Sequence, residues 1–200
     1  MRAEARIARR LGAVGIGAIG IGAGSAEALA AAGAPALISF GIAGGLDPAL
    51  LPGTLIVPEA VVTLAGERFA TDPALVAALA GARAGTVLGS AGIVGESAEK
   101  AWIFAATGAA AVDMESGAVA RAAARHGIPF AVLRVIGDPA GRDLPPAAKA
   151  AFDPGGGIAL FPLIASLAAA PSQLPGLIAL ARETRRALRR LREATRHFAR

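Results

Sequence analysis

Two carboxylates, Glu115 and Asp138, stand in the stretch Ala111–Asp138, AVDMESGAVARAAARHGIPFAVLRVIGD, and each follows a predicted strand. Ala109 to Val112 reads as a short buried strand, Ser116 to His126 as a helix stopped by Gly127 and Pro129, and Phe130 to Ile136 as a second apolar strand. The three make a βαβ unit. In open α/β sheets ligands bind beyond the carboxyl ends of the strands, so this layout aims both acids into one crevice. Two carboxylates facing one substrate suit acid-assisted cleavage of a glycosidic bond. Each acid also has a structural reading: Asp138 before Pro139 can cap a turn, and Glu115 suits the first turn of a helix through the macrodipole.

The elements that must position these acids alternate strand and helix. Ala13 to Ile21 reads as extended and glycine-rich, Ser25 to Ala32 as a helix capped by Ser25, and Ala36 to Phe40 as a buried strand. Leu55 to Val62 is a strand after the turn signal Pro52-Gly53. Asp72-Pro73 opens a helix over Ala74 to Ala80. Thr86 to Val94 follows as a glycine-broken strand and Ser97 to Ala106 as a helix ending near Gly108. The pattern predicts a three-layer α/β/α sandwich.

Composition narrows the function classes. Two hundred residues with 54% hydrophobic content bury one sizeable core. The absence of cysteine excludes disulfides, thiolate metal sites and a cysteine nucleophile, and it fits a cytoplasmic protein. Aromatic residues are only 4%, with no tyrosine, which argues against a stacked-ring platform for nucleic acid. The charge of +5 is local: Arg182–Arg200 holds eight Arg and two Glu, a net +6, and the rest holds twelve basic and thirteen acidic groups, a net −1. The Arg-rich start followed by Leu11 to Ala23 mimics a secretory signal, but Glu4 and five glycines contradict one. No stretch predicts a membrane span, and no metal-ligand spacing occurs.

The motifs DMES at Asp113–Ser116, RVIGD at Arg134–Asp138 and SFGIAGGLDP at Ser39–Pro48 resemble the purine nucleoside phosphorylase and methylthioadenosine/adenosylhomocysteine nucleosidase superfamily, in the family's order. The likeness covers residues 36 to about 150, and Leu144 to Ala181 resembles the hopanoid-associated phosphorylase branch. It implies a nucleoside phosphorylase-like sandwich with a mixed central sheet, acting as a homo-oligomer without a cofactor, with phosphate as an optional co-substrate. Asp138 would protonate adenine N7. Glu115 would take the ribose hydroxyls, Met114 would pack on the sugar, and Ile93 and Val94 would wall the base. Gly41, Ala43 and Gly44 would offer backbone N–H groups to water or phosphate, and Glu4 would position the water. Relatives place Ser or Thr where this chain has Ile42, which shifts weight from phosphorolysis toward hydrolysis. They also open with a buried strand ahead of a turn within which Met1-Arg2-Ala3-Glu4 begins, so the first strand is expected to be missing here.

The tail divides the expected organisation into a domain over 1–172 and a basic amphipathic helix over 173–200. Leu177, Ala181, Leu188, Leu191 and Phe198 share its stripe, with arginines around it. Such a helix can lie on an anionic membrane, which would make the protein peripheral to the inner membrane and suit a nucleosyl lipid. It can equally pack on the body or on another copy. The leading reading is release of adenine from a 5′-modified adenosine, adenosylhopane by the branch resemblance. The alternatives are methylthioadenosine or purine salvage, a catalytically impaired nucleoside-binding protein, and a basic-tailed nucleic-acid binder, which the neutral body and scarce aromatics oppose.

Overall fold

A computed structural model describes residues 22–150 and 160–195. Glu4, the turn in which the chain begins and the extended reading of Ala13–Ile21 lie outside them. Helix α1 (Gly22–Ala31) leads into β1 (Leu37–Gly45), β2 (Leu55–Val62), β3 (Arg68–Ala70), α2 (Pro73–Ala78), β4 (Ala82–Gly89) and α3 (Ser97–Thr107). Then come β5 (Ala111–Asp113), α4 (Ser116–His126), β6 (Phe130–Asp138), α5 (Pro146–Ala150), α6 (Leu160–Ala169), a 3-10 turn at Pro171–Gln173 and α7 (Leu174–Thr195).

Local chemistry sets several of these boundaries. The Asp72 carboxylate accepts from the N–H groups of Ala74 and Leu75, both at 2.9 Å, so two orphan donors of α2 are satisfied, and Pro73 supplies a helical φ. Gly108 and Gly127 end α3 and α4 in the left-handed region, at φ 64° and 63°, where other residues are strained. The short β3, which the sequence did not signal, folds back antiparallel on β2.

The sheet is mixed and closes into a ring. Its order is β3-β2-β4-β5-β1-β6, and β2 also pairs with β6. β1 runs parallel to β6, and β4 runs parallel to both β2 and β5. β5 meets β1 antiparallel. The ring closes where Leu55 and Ile56 of β2 face Val135 and Arg134 of β6, also antiparallel. In the predicted βαβ unit β1 therefore lies between the two strands, which run in opposite senses. The reason is β4: its crossover through α3 lays β5 parallel to it, and that sense is antiparallel to β1.

All nine residues of β6 are buried, which fits a strand covered on both faces. Phe130 and Val132 point into a cluster with Ala26, Ala30, Val119, Ala122 and Ala123 of α1 and α4. Ala131, Leu133 and Val135 point the other way, onto Val57, Val76, Leu79, Ala187 and Leu191 beneath α2 and α7. The two-residue alternation makes β6 the middle of three layers.

Helix α7 thus belongs to the core. Its buried positions are Ala187, Leu191 and Ala194, while Leu188 and Leu177 are half-buried and Ala181 is exposed. The inner face is rotated from the expected stripe because small alanines let the helix sit close to β6; Phe198 lies outside the described residues. Among those residues no helix is long and apolar enough to cross a membrane. Leu191 fills a fully buried position, so Leu191→Ala is expected to lower the unfolding free energy by about 2–5 kcal/mol. Urea denaturation checks this; a loss below about 0.5 kcal/mol would mean that α7 is only loosely applied to the sheet.

Candidate active site

Asp138 ends β6 with 8% of its surface exposed. The sequence ends the neighbouring strand at Phe40, but Gly41–Gly45 continues it as the second half of β1, in register with β6. Gly41 faces Arg134, Ala43 faces Ile136, and Gly44 faces Asp138 across an irregularity after Ala43. Space is tight just past that irregularity: a Cβ on Gly45 would stand 3.2 Å from the Asp138 carbonyl, while one on Gly44 would be in ordinary contact, 3.4 Å from Asp138 Oδ1. One step earlier a Cβ on Gly137 would come within 2.5 Å of Ile42 Cγ2. Ile42 itself packs against the apolar cluster under α7, which suits an aliphatic side chain there.

The partner of Asp138 is a residue the sequence reading passed over. Lys100, fully buried on the inner face of α3, donates from Nζ to Asp138 Oδ2 at 2.6 Å, to the Arg142 carbonyl at 3.0 Å and to the Pro139 carbonyl at 3.1 Å. Burial pushes the Asp138 carboxyl above the ordinary range. Lys100 and then Arg142 oppose that push, and Glu183 adds to it. The Arg142 guanidinium is in turn gripped by both carboxylate oxygens of Glu183 on α7, which raises its own pKa.

The loop after Asp138 is stitched to the loop that carries Ile93 and Val94. Leu144 N–H donates to the Gly95 carbonyl at 2.8 Å, and Asp143 accepts from Ser97 N–H at 2.7 Å, capping α3. Hydrogen bonding from Ser97, through its side chain and then its backbone, holds the Asp143 carboxyl below the ordinary range. Ile93 is half-buried. Val94 packs with Leu46, Leu88, Ile103, Ala109 and Val112, so it lies in the core at the edge of the site. Both residues fall after β4, which stops at Gly89.

Glu115 rests on a second buried polar group. Asp113 Oδ1 accepts from the N–H groups of Glu115 and Ser116, at 2.8 and 2.6 Å, and so caps α4. Its Oδ2 accepts from Ser116 Oγ at 2.6 Å and stands 2.9 Å from Arg134 Nε. Arg134 Nη2 donates to Ser39 Oγ at 2.6 Å and lies 3.3 Å from Glu115 Oε2. The Glu115 side chain stays 31% exposed, so the carboxylate is held from beneath and open above. Met114, beside it, is 43% exposed. Backbone approach also locates this corner: a Cβ on Gly89 would sit 2.6 Å from the Gly117 Cα, so the end of β4 touches the first turn of α4.

The structure therefore gathers Asp138, Gly44, Lys100 and the Ile93–Val94 loop at the end of β6. It sets Glu115 against Arg134, whose register partner is Gly41. Glu4 lies outside the described residues. Among those residues no group of three or more His, Asp or Glu could hold a metal ion.

A family model described as the phosphorylase superfamily matches residues 11–154. The chain belongs to that superfamily. It is 37% identical over 127 residues to a futalosine hydrolase from Streptomyces coelicolor, covering 52% of this chain and 54% of that protein. An S-adenosylhomocysteine nucleosidase from Streptococcus pyogenes superposes with a TM-score of 0.53 at 23% identity, over 60% of this chain and 63% of its own. A 5′-methylthioadenosine/S-adenosylhomocysteine nucleosidase from Helicobacter pylori gives 0.56 at 17% identity, over 86% and 75%. These likenesses show the nucleoside phosphorylase-like α/β fold. The chain spans about half the length of the Streptomyces protein and under two-thirds of the Streptococcus one.

For this member of the phosphorylase superfamily the Asp113–Arg134 pair is the support most sensitive to change. Arg134→Met leaves a buried carboxylate without its cation and is expected to reduce stability by about 3–5 kcal/mol. Urea denaturation at pH 7 reads the change; a loss under about 1 kcal/mol would show that the Ser116 hydroxyl and the N–H groups of Glu115 and Ser116 hold Asp113 unaided.

Proposed function

We propose that this chain cleaves the N-glycosidic bond of a 5′-modified adenosine and releases adenine. The observation that carries the reading is the buried Asp138 carboxyl, pushed upward by burial at the end of β6 beside a strand with no side chain at Gly44. A purine leaves more readily as a neutral species, so an acid at N7 weakens the bond to C1′. Glu115 takes the ribose hydroxyls and steadies the positive charge that develops on the sugar, which favours the transition state over the ground state. Met114 lies against the sugar, and Ile93 and Val94 give the base an aliphatic wall. Gly41, Ala43 and Gly44 hold the nucleophile, with Glu4 orienting it. Water is preferred to phosphate because Ile42 offers no hydroxyl. The likeness to proteins named as a futalosine hydrolase and as nucleosidases supports hydrolysis in the same way.

Adenosylhopane is the leading substrate by the branch resemblance, with methylthioadenosine and futalosine as comparisons. A homo-oligomer and a peripheral place at a membrane complete the reading. Arg182, Arg185, Arg186, Arg189 and Arg190 face outward from a helix whose inner face is taken by the sheet. Each basic residue near an anionic surface adds roughly 1 kcal/mol, weakened by salt. Replacing these five with Gln, which spares the buried face, is expected to abolish sedimentation with anionic liposomes at low salt. Unchanged sedimentation removes the membrane from the proposal.

The deciding experiment incubates the full chain with adenosylhopane, methylthioadenosine, futalosine and inosine, with and without phosphate, and identifies the products. Free adenine with a free sugar in either buffer is expected. A sugar 1-phosphate would assign phosphorolysis instead, and tight binding without any base release would assign a nucleoside-binding protein.

Asp138→Asn keeps the volume and removes the proton, so kcat is expected to fall by about 10²- to 10⁴-fold. In the wild type the rate should decline as pH rises through the raised value of Asp138, because only the protonated carboxyl donates. Near-wild-type turnover in a folded Asp138→Asn protein would take this residue out of the mechanism. Glu115→Gln should lower kcat with little change in KM, and the preference of the wild type for the ribonucleoside over the 2′-deoxynucleoside should shrink in the variant; no such preference in the wild type would return Glu115 to a capping role.

A further inference from the structure

Lys100 has no role in the chemistry just described, yet it is a fully buried lysine at the centre of the site. Lysine is almost never fully buried unless paired. Its Nζ faces three acceptors, Asp138 Oδ2, the Arg142 carbonyl and the Pro139 carbonyl, at 2.6, 3.0 and 3.1 Å. An ammonium has three N–H donors and no acceptor, so this surround satisfies it completely. A neutral amine would turn its lone pair on one of the three oxygens. The geometry therefore calls for the charged form.

Two of those acceptors belong to the segment that follows Asp138, so a single cation ties the carboxyl and the turn beyond it to α3. Oδ2 is occupied by this bond. Among the described residues Oδ1 receives no hydrogen bond. We propose that Lys100 is the positioning residue for Asp138: it clamps Oδ2 and the Pro139–Arg142 backbone and so presents Oδ1 to the departing base.

This rests on the base-release reading and adds to it how the acid is held. The charged groups facing Asp138 are Lys100 from α3, Arg142 from the following turn and Glu183 from α7. Asp143 feels the charge of Lys100 as well. The charge of Arg142 is matched by Glu183, which leaves Lys100 as the cation that counters burial of the acid. With its ammonium removed, burial acts alone, and the carboxyl should keep its proton to higher pH.

The test uses Lys100→Met in the full chain, which keeps the length of the side chain and deletes the charge. The Asp138 titration is followed through the carbonyl stretch of its protonated form, assigned as the band missing from Asp138→Asn. It is expected to move up by about 1–3 pH units, the size of an adjacent opposite charge. The basic limb of the rate profile should move with it, kcat should fall and KM should change little. Lys100→Arg retains a cation in a different shape, so it should keep the titration near the wild-type pH while kcat still falls. An unmoved titration in folded Lys100→Met overturns the proposal.

If Lys100→Met does not fold, Lys100→Arg carries the test: its kcat should fall with KM little changed, and a wild-type kcat in folded Lys100→Arg overturns the proposal equally. Coupled titrations without base release would sink the nucleosidase reading and, with it, the catalytic use of the clamp. Base release with uncoupled titrations would sink the clamp alone.

Discussion

A strand buried along its whole length cannot carry a charge without a buried partner, and β6 carries two. Arg134 and Asp138 lie on a strand with helices over both faces, in surroundings where an unpaired ion costs several kcal/mol. Each therefore draws another element to it. Arg134 takes Asp113 and, through Ser116, the first turn of α4. Asp138 takes Lys100 and, through it, the inner face of α3. The two helices that frame the site are in this sense placed by the charges of one strand.

That dependence explains what was legible in the sequence. Signals confined to a few residues were readable: Asp72-Pro73 as a helix start, Gly108 and Gly127 as helix stops, and a helix over Ser116–His126 with the bounds observed. Asp138 and Glu115 stood out because strand ends and motif spacing are local too. Lys100 did not stand out, since its partner lies 38 residues away and nothing in SAEKAWIF marks a lysine as facing inward. Its spacing to Ile103, three residues on and also buried, was the available sign.

The glycines here record packing. GIAGG forms the second half of β1, and the missing side chain at Gly45, like that at Gly137 on β6, answers a crowding that only the folded pair creates. The tail shows a similar limit. Its helix was readable, with Leu191 on the apolar stripe, while Ala187, which carries little sequence signal, completes the face that meets β6. Small residues record close approach, and close approach is invisible until the neighbour is known.

The closing of the sheet bears on how the protein is made. Leu55 pairs with Val135, eighty residues further along the chain, and that contact completes the ring. A polypeptide leaving the ribosome amino-terminus first exposes β2 and β4 well before β6 exists to join them. Pairings so distant along the chain form slowly, and unpaired strand edges in the interval invite association. Even then Leu133 and Val135, which rest on Val57, Val76 and Leu79 as well, lack part of their cover until α7 follows.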